Sequence, residues 1–71
     1  MKGIEIFFYD RRTEKWKDVL VSENASFHQI LETLHMDTDM LVFEKASMEL
    51  CDKDISINRL GVQAGMMFLL Y

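Results

Sequence analysis

Apolar residues recur at every second position near the start of the chain, which indicates a strand. Ile4, Ile6 and Phe8 share one face of this stretch. A second alternating stretch covers residues 15–21, and residues 10–14 between the two are polar and turn-like. The pattern predicts an antiparallel β-hairpin with a loop longer than the tightest turns.

The apolar period changes from two to that of a helix after Ser26. Ser26 and Gln29 have the spacing of a capping box, in which each side chain bonds to the backbone N–H of the other residue. One stripe of apolar residues follows at helical spacing, consisting of Phe27, Ile30, Leu31 and Leu34. The pattern predicts a helix of about three turns that ends near Met36.

Short apolar segments occupy the second half of the chain. The expected elements are a strand at Met40–Phe43, a small returning strand at Met48–Leu50, one helical turn at Ile57–Leu60 closed by a left-handed Gly61, and a last strand at Met66–Tyr71. The first and last strands carry bulky residues on both faces, which favours central positions in a sheet. We predict an α+β fold, ββαββ, in which the first and last strands pair in parallel and one helix covers the mixed sheet.

Length, charge and cysteine content narrow the class of protein. The 71 residues predict a single domain spanning residues 1–71. The net charge of −4 opposes nucleic-acid binding by the protein as a whole. A single cysteine, Cys51, cannot form an internal disulfide, and no signal peptide precedes the first strand, so we expect a cytoplasmic protein. The last apolar run is too short to cross a membrane.

The chain resembles the ubiquitin-like β-grasp family over nearly its full length. The segments that carry the resemblance follow the order of the second half of ubiquitin, and they are Leu41-Val42-Phe43, Met48-Glu49-Leu50, Asp52, Ser56–Gln63 and Phe68-Leu69-Leu70. These motifs consist mostly of hydrophobic spacing, so they specify the fold better than the function. The resemblance implies a β-grasp sheet packed on one helix.

The chain departs from ubiquitin at its end. Ubiquitin and the sulfur carriers finish in a flexible tail with a terminal Gly-Gly, whereas this sequence stops at Tyr71. It is more similar to small bacterial ubiquitin-like proteins without Gly-Gly, such as the YukD-like proteins linked to type VII secretion or the small β-grasp subunits of multicomponent monooxygenases. The alternative is a modifier or sulfur carrier whose Gly-Gly lies beyond Tyr71.

No catalytic or metal-binding constellation stands out in the sequence. His28 and His35 lie seven residues apart on the predicted helix, about 10 Å along its axis, which is too far for one metal ion. The two Asp-x-Asp pairs, which begin at Asp37 and Asp52, lack the further oxygen ligands of a calcium loop. Cys51 is followed by an acid and has no evident basic partner, so an inert thiol is expected. We therefore expect a protein that is not an enzyme and that needs no metal or cofactor.

The hairpin loop is basic. The charged residues of the segment 11–17 give it a net charge of +3, and Trp16 lies among them. The candidate secondary basic patch consists of Arg11, Arg12, Lys15, Trp16 and Lys17. Such a patch suits an acidic protein partner better than RNA, although basic residues beside an aromatic can bind RNA or phosphate. A solvated hairpin tip is the simplest explanation.

The sheet face that points away from the helix is the strongest candidate site. If Ile4, Ile6, Phe8, Val19, Val21, Leu41, Phe43, Phe68 and Leu70 face the helix, strand alternation places the intervening apolar residues on the opposite face. The predicted partner-binding residues are Phe7, Tyr9, Leu20, Val42, Leu69 and Tyr71. An exposed apolar patch of this size indicates a protein interface. The sequence thus predicts an adaptor or regulatory subunit that binds an unidentified protein, with homodimerisation as a second use of the face.

Overall fold

Four strands and one helix form the fold in the computed structural model, which describes residues 3–71. In chain order the elements are β1 (Gly3–Asp10), β2 (Lys15–Ser22), α1 (Phe27–Thr33), β3 (Val42–Glu44) and β4 (Met67–Leu70). The hairpin, the single helix and the strand near the C-terminus confirm the predicted α+β fold class.

The strands form one sheet in the order β2-β1-β4-β3. β1 is antiparallel to β2 and parallel to β4, and β3 is antiparallel to β4. β1 and β4 are therefore the central strands, as their bulky residues on both faces predict. β2 and β3 are the edges of the sheet. The parallel pair is possible because the intervening chain, including α1, crosses from one central strand to the other.

The core lies between α1 and one face of the sheet, which we call the inner face. Three phenylalanine rings from β1, α1 and β4 meet there, with centroids 4.9 to 6.1 Å apart. These rings belong to Phe8, Phe27 and Phe68, and each is buried. Such edge-on and tilted contacts add to the free energy gained by burying the rings.

The helix begins as the sequence predicts but ends earlier. The backbone N–H of Gln29 donates to Ser26 Oγ at 3.2 Å, and the N–H of Ser26 donates to Gln29 Oε1 at 3.0 Å, which confirms the capping box. The prediction of three turns is wrong, since α1 ends at Thr33. His35 adopts a left-handed conformation with φ of 57°, and this reversal stops the helix before Met36.

Two short elements predicted in the second half are turns. The predicted strand at Met48–Leu50 contributes only an isolated bridge between Leu50 and Phe43. The predicted helical turn after Ser56 is a hydrogen-bonded turn rather than a helix. Gly61 closes it with φ of 79°, the left-handed conformation that the sequence predicts.

Candidate protein-binding face of the sheet

The sheet face opposite α1, which we call the outer face, is largely apolar. Alternation and strand register place nine apolar side chains on it, all of them exposed or half-buried. They are Phe7, Tyr9, Trp16, Leu20, Leu41, Phe43, Met67, Leu69 and Tyr71. Five of the eight aromatic residues of the chain are in this set. The outer face therefore has the composition of an interface centre, where aromatic residues are enriched.

One row of the outer face crosses all four strands. Tyr9 lies opposite Trp16 on β2 and opposite Leu69 on β4, and Leu69 lies opposite Phe43 on β3. The centroids of the Tyr9 and Trp16 rings are 5.4 Å apart. Three strand spacings make this row about 14 Å wide. Because the row has no charged member, it offers an apolar strip across the sheet.

Tyr71 is held at one end of the outer face by contacts of both its ring and its backbone. Its ring meets the ring of Phe43 edge-on, with centroids 5.5 Å apart and planes at 81°. The guanidinium of Arg11 lies 5.0 Å from the centroid of the same ring, a cation–π distance. The backbones of Tyr71 and Leu41 exchange two hydrogen bonds of 3.0 Å each. These contacts fix an exposed aromatic ring in one position, which lowers the entropy lost when a partner binds it.

The predicted position of Val42 on the outer face is wrong. Val42 is 0% exposed and lies directly opposite Leu70, another core residue. Its neighbours Leu41 and Phe43, which are predicted to face the core, are on the outer face instead. The run Met40–Phe43 is apolar throughout, so its own alternation cannot determine its register. Pairing with β4 determines it, because residues directly opposite in a ladder point to the same side.

The other five predicted partner-binding residues, Phe7, Tyr9, Leu20, Leu69 and Tyr71, do lie on the outer face. Trp16, Leu41, Phe43 and Met67 also lie on the outer face, although they are absent from the predicted set. Trp16 and Met67 could have been found from the period of two on their own strands, since each shares parity with an assigned residue. Leu41 and Phe43 follow only from the register between β3 and β4.

The basic residues of the hairpin do not form one patch. Arg11 contacts Tyr71 on the outer face, whereas the side chain of Arg12 pairs with Asp37, Nη2 to Oδ2, at 3.0 Å. Lys15 and Lys17 lie opposite Asp10 and the buried Phe8, so they belong to the inner side of β2. Trp16 packs on Tyr9 on the outer face. The predicted basic cluster is therefore divided between the two faces of the sheet.

Hydrogen bonds or burial shift the pKa values of three further side chains. Hydrogen bonds from the backbone N–H of Asp39 and from Arg12 lower the pKa of Asp37. A hydrogen bond from the N–H of Ala46 lowers the pKa of Glu44, whose carboxylate closes the turn after β3. Burial raises the pKa of the Cys51 thiol, which disfavours the reactive thiolate.

His28 faces Glu32 one turn along α1, with Nε2 and Oε2 4.0 Å apart. Within residues 3–71 no group of three or more His, Cys, Asp or Glu side chains is placed to hold a metal ion. No helix in that range has the length and apolar character needed to cross a bilayer.

Comparisons with solved structures identify the architecture. The chain superposes on a ubiquitin-like domain of an Arabidopsis thaliana protein with a TM-score of 0.81 and 14% identity, covering 100% of this chain and 78% of that one. It superposes on the ubiquitin of Caldiarchaeum subterraneum with a TM-score of 0.76 and 16% identity, covering 97% and 91%. The chain has the ubiquitin-like β-grasp fold.

A third similar structure is a chain of the toluene 4-monooxygenase HD complex with the inhibitor 4-bromobenzoate. Its TM-score is 0.78 at 19% identity, and the match covers 97% of this chain and 96% of that one. No protein-family model and no curated protein sequence matches the chain. At these identities the comparisons establish the fold, and they do not transfer a function. They confirm the β-grasp resemblance, and the likeness to YukD-like proteins stays a prediction.

Proposed function

We propose that this ubiquitin-like domain is a non-enzymatic protein-interaction module that binds a partner protein through the outer face. The observation that supports the proposal best is the apolar row from Trp16 to Phe43, which crosses the whole sheet without a charge. In residues 3–71 the only helix, α1, packs on the opposite face. An apolar face of this extent is characteristic of a surface that a partner covers.

The chemistry of the outer face favours a partner with its own apolar or aromatic surface. Its centre consists of aromatic and aliphatic side chains, while Glu5, Asp18 and Arg11 lie at its margins. This is the arrangement of an interface with an apolar core and a polar rim. Marginal charges contribute to the rate and orientation of association more than to its affinity.

A role as an adaptor or regulatory subunit is part of this proposal. The toluene 4-monooxygenase chain of the same fold belongs to a complex, and a chain in the crystal structure of ATBAG1 in complex with HSP70 also has this fold. These are properties of those proteins, and they support the proposal only as precedents for the fold. The unpaired thiol of Cys51 suits a reducing compartment, so we place the module in the cytoplasm.

A matched pair of methionine variants tests the proposal. Met67 lies on the outer face of the central strand β4 and is 43% exposed, whereas Met48 lies in the turn after β3 and is 55% exposed. Met67→Asp introduces a charge into the face, and Met48→Asp introduces the same charge outside it. We expect affinity capture followed by mass spectrometry to recover a protein with the wild type and with Met48→Asp, and to lose it with Met67→Asp.

The captured protein is then purified and its affinity measured by titration calorimetry. Circular dichroism must show the same fold for both variants. A charge in the apolar centre of an interface weakens binding by about 2 kcal/mol or more, which is a loss of at least about thirtyfold. If Met67→Asp retains the same binding partners with unchanged affinity, the outer face is not the binding surface.

A further inference from the structure

The edge strand β2 carries hydrogen-bonding groups that point away from the sheet. The N–H of Phe7 donates to the carbonyl of Met66, and the carbonyl of Glu5 accepts from the N–H of Gly65. The odd-numbered residues of β1 therefore bond to β4, and its even-numbered residues bond to β2. Their partners on β2 are Lys15, Lys17, Val19 and Val21.

The alternate residues of β2 consequently direct their N–H and C=O groups outward. These residues are Trp16, Asp18, Leu20 and Ser22, and the carbonyl of Ser22 already accepts from the N–H of Ala25. No strand or helix in residues 3–71 pairs with this edge. Two clefts of about 430 and 260 Å³ open beside it, one lined by residues 15–18 and the other by residues 20–22 together with α1. A long edge with free backbone groups is a template for another strand.

We propose that a second copy of this chain pairs its β2 with this edge in an antiparallel, two-fold-symmetric arrangement. The two sheets then form one continuous sheet of eight strands. The proposal concerns an edge of the sheet rather than the centre of the outer face, so it does not depend on the proposed function. The side chains of β2 support a second copy because two of the four possible two-fold registers oppose like charges, and the longer of the two remaining registers opposes none.

Four two-fold registers pair at least five residues of β2 and keep outward groups opposite outward groups. They are centred on Lys17, Asp18, Val19 or Leu20. The first two place a lysine opposite a lysine or an aspartate opposite an aspartate, and like charges directly opposite each other destabilise a strand pair. The register centred on Leu20 pairs only residues 18–22. The register centred on Val19 pairs residues 16–22 with no like charges opposed.

The Val19 register also covers the most exposed apolar side chain of the strand. Leu20 is 78% exposed in the single chain. In this register it lies opposite Asp18 of the second copy and diagonal to Trp16 of that copy, within reach of the indole. On the inner side the two Val19 side chains meet. Lys17 lies opposite Val21 of the second copy, where its aliphatic stem can cover the apolar cleft beside α1.

Two substitutions at Leu20 test the register, and circular dichroism must show the native fold for both, because Leu20 is exposed but lies opposite Glu5 on β1. Leu20→Asp places a carboxylate opposite Asp18 of the second copy, and Leu20→Lys places an ammonium there. Light scattering after size exclusion, from about 10 μM to about 1 mM protein, covers the range in which a small interface associates. We expect the wild-type mass to rise from 8.4 kDa towards twice that value. Leu20→Asp should remain monomeric, and Leu20→Lys should dimerise at least as tightly as the wild type.

Cysteine scanning gives an independent test in a Cys51→Ser background. Val19→Cys places two Cα atoms about 4.5 Å apart across the dimer axis, which a disulfide can bridge. Cysteines at positions 17, 18 or 20 would be about 8 Å or more from their copies, beyond that reach. Mild oxidation should therefore link Val19→Cys into a dimer on a non-reducing gel and leave the other three mostly monomeric.

Some results would exclude the dimer itself, and others would exclude only the Val19 register. A monomer at every concentration, without cross-linking at residue 19, would exclude the dimer and leave the edge for a strand of another protein. Fastest cross-linking at residue 17, 18 or 20, or weaker dimerisation of Leu20→Lys than of the wild type, would exclude the Val19 register. Loss of partner capture in Met67→Asp would not affect any of these outcomes.

Discussion

Phe43 and Tyr71 form an edge-on aromatic pair on the outer face, with ring centroids 5.5 Å apart. The pair joins β3 to the segment after β4, and the guanidinium of Arg11 lies over the Tyr71 ring, 5.0 Å from its centroid. It joins two aromatic residues that are far apart in sequence. The same rings serve stability and, in the proposed function, the binding surface.

A double-mutant cycle should detect this pair. We expect the free energies of unfolding of Phe43→Ala, Tyr71→Ala and the double variant, measured in urea, to give a coupling of about 0.5–1.5 kcal/mol, as edge-on aromatic pairs do. As a control, Phe43→Ala combined with Trp16→Ala should be additive, since no direct contact joins those rings. A coupling near zero for Phe43 and Tyr71 would mean that the rings do not stabilise each other in solution.

Adjacent residues of β3 should respond oppositely to the same charge. Val42 is fully buried opposite Leu70, so Val42→Asp buries a carboxylate without a partner. The cost should approach or exceed the whole stability of a small domain, about 5 kcal/mol. Leu41 is 45% exposed, so Leu41→Asp should keep the fold. Thermal unfolding followed by circular dichroism should show a cooperative transition for Leu41→Asp and none for Val42→Asp, and the reverse result would place Val42 on the outer face.

Acid should weaken the ion pair between Arg12 in the hairpin loop and Asp37 in the loop after α1. The pKa of Asp37 is lowered from its ordinary value of 3.8 by the N–H of Asp39 and by Arg12. A carboxyl whose pKa is lowered in the folded state stabilises the fold above its unfolded pKa, and that contribution is lost as pH falls through the folded pKa. NMR titration should place the Asp37 pKa below 3.8, and Arg12→Ala should move it upward. An unchanged pKa in Arg12→Ala would contradict a contribution from the ion pair.

The Cys51 thiol should react slowly in the folded protein. Burial raises its pKa from 9.0, and its Sγ lies 3.9 Å from the carbonyl oxygen of Glu49. At pH 8 less of the thiol is therefore ionised than in an unfolded chain, and the thiolate is the nucleophile. We expect iodoacetamide to alkylate Cys51 several times more slowly in the native protein than in 6 M urea. The two rates are first corrected for the effect of urea on the alkylation rate of a small free thiol. Equal rates would contradict the raised pKa.

Local sequence patterns predict much of this fold because their physical causes are local. The capping box at Ser26 and Gln29 depends on residues three apart, and the structure contains both of its hydrogen bonds. The left-handed Gly61 follows from the absence of a Cβ. The central positions of β1 and β4 follow from bulky residues on both faces. In each case, the residues that determine the feature are neighbours along the chain or share one period.

Other features of the structure could not be predicted from residues that are close together in the sequence. The helix ends two or three residues early because His35 reverses the backbone, although the apolar stripe continues to Leu34. The basic residues of the hairpin look like one cluster in sequence, but the loop residues Arg11 and Arg12 contact different parts of the fold, and the two lysines of β2 lie on its inner side. Asp37 lies 25 positions from Arg12 along the chain, so no spacing rule could reveal their ion pair.

The sequence by itself determined the fold class, the hairpin, the helix and the apolar character of the outer face, because periodicity and turn chemistry act over a few residues. Only the tertiary structure decided which side of β3 faces the core. In the uniformly apolar run Met40–Phe43, alternation is equally compatible with either side. The register with β4 places Val42 opposite Leu70 and therefore turns Phe43 outward beside Leu69. That long-range pairing replaces Val42 with Leu41 and Phe43 in the candidate binding face.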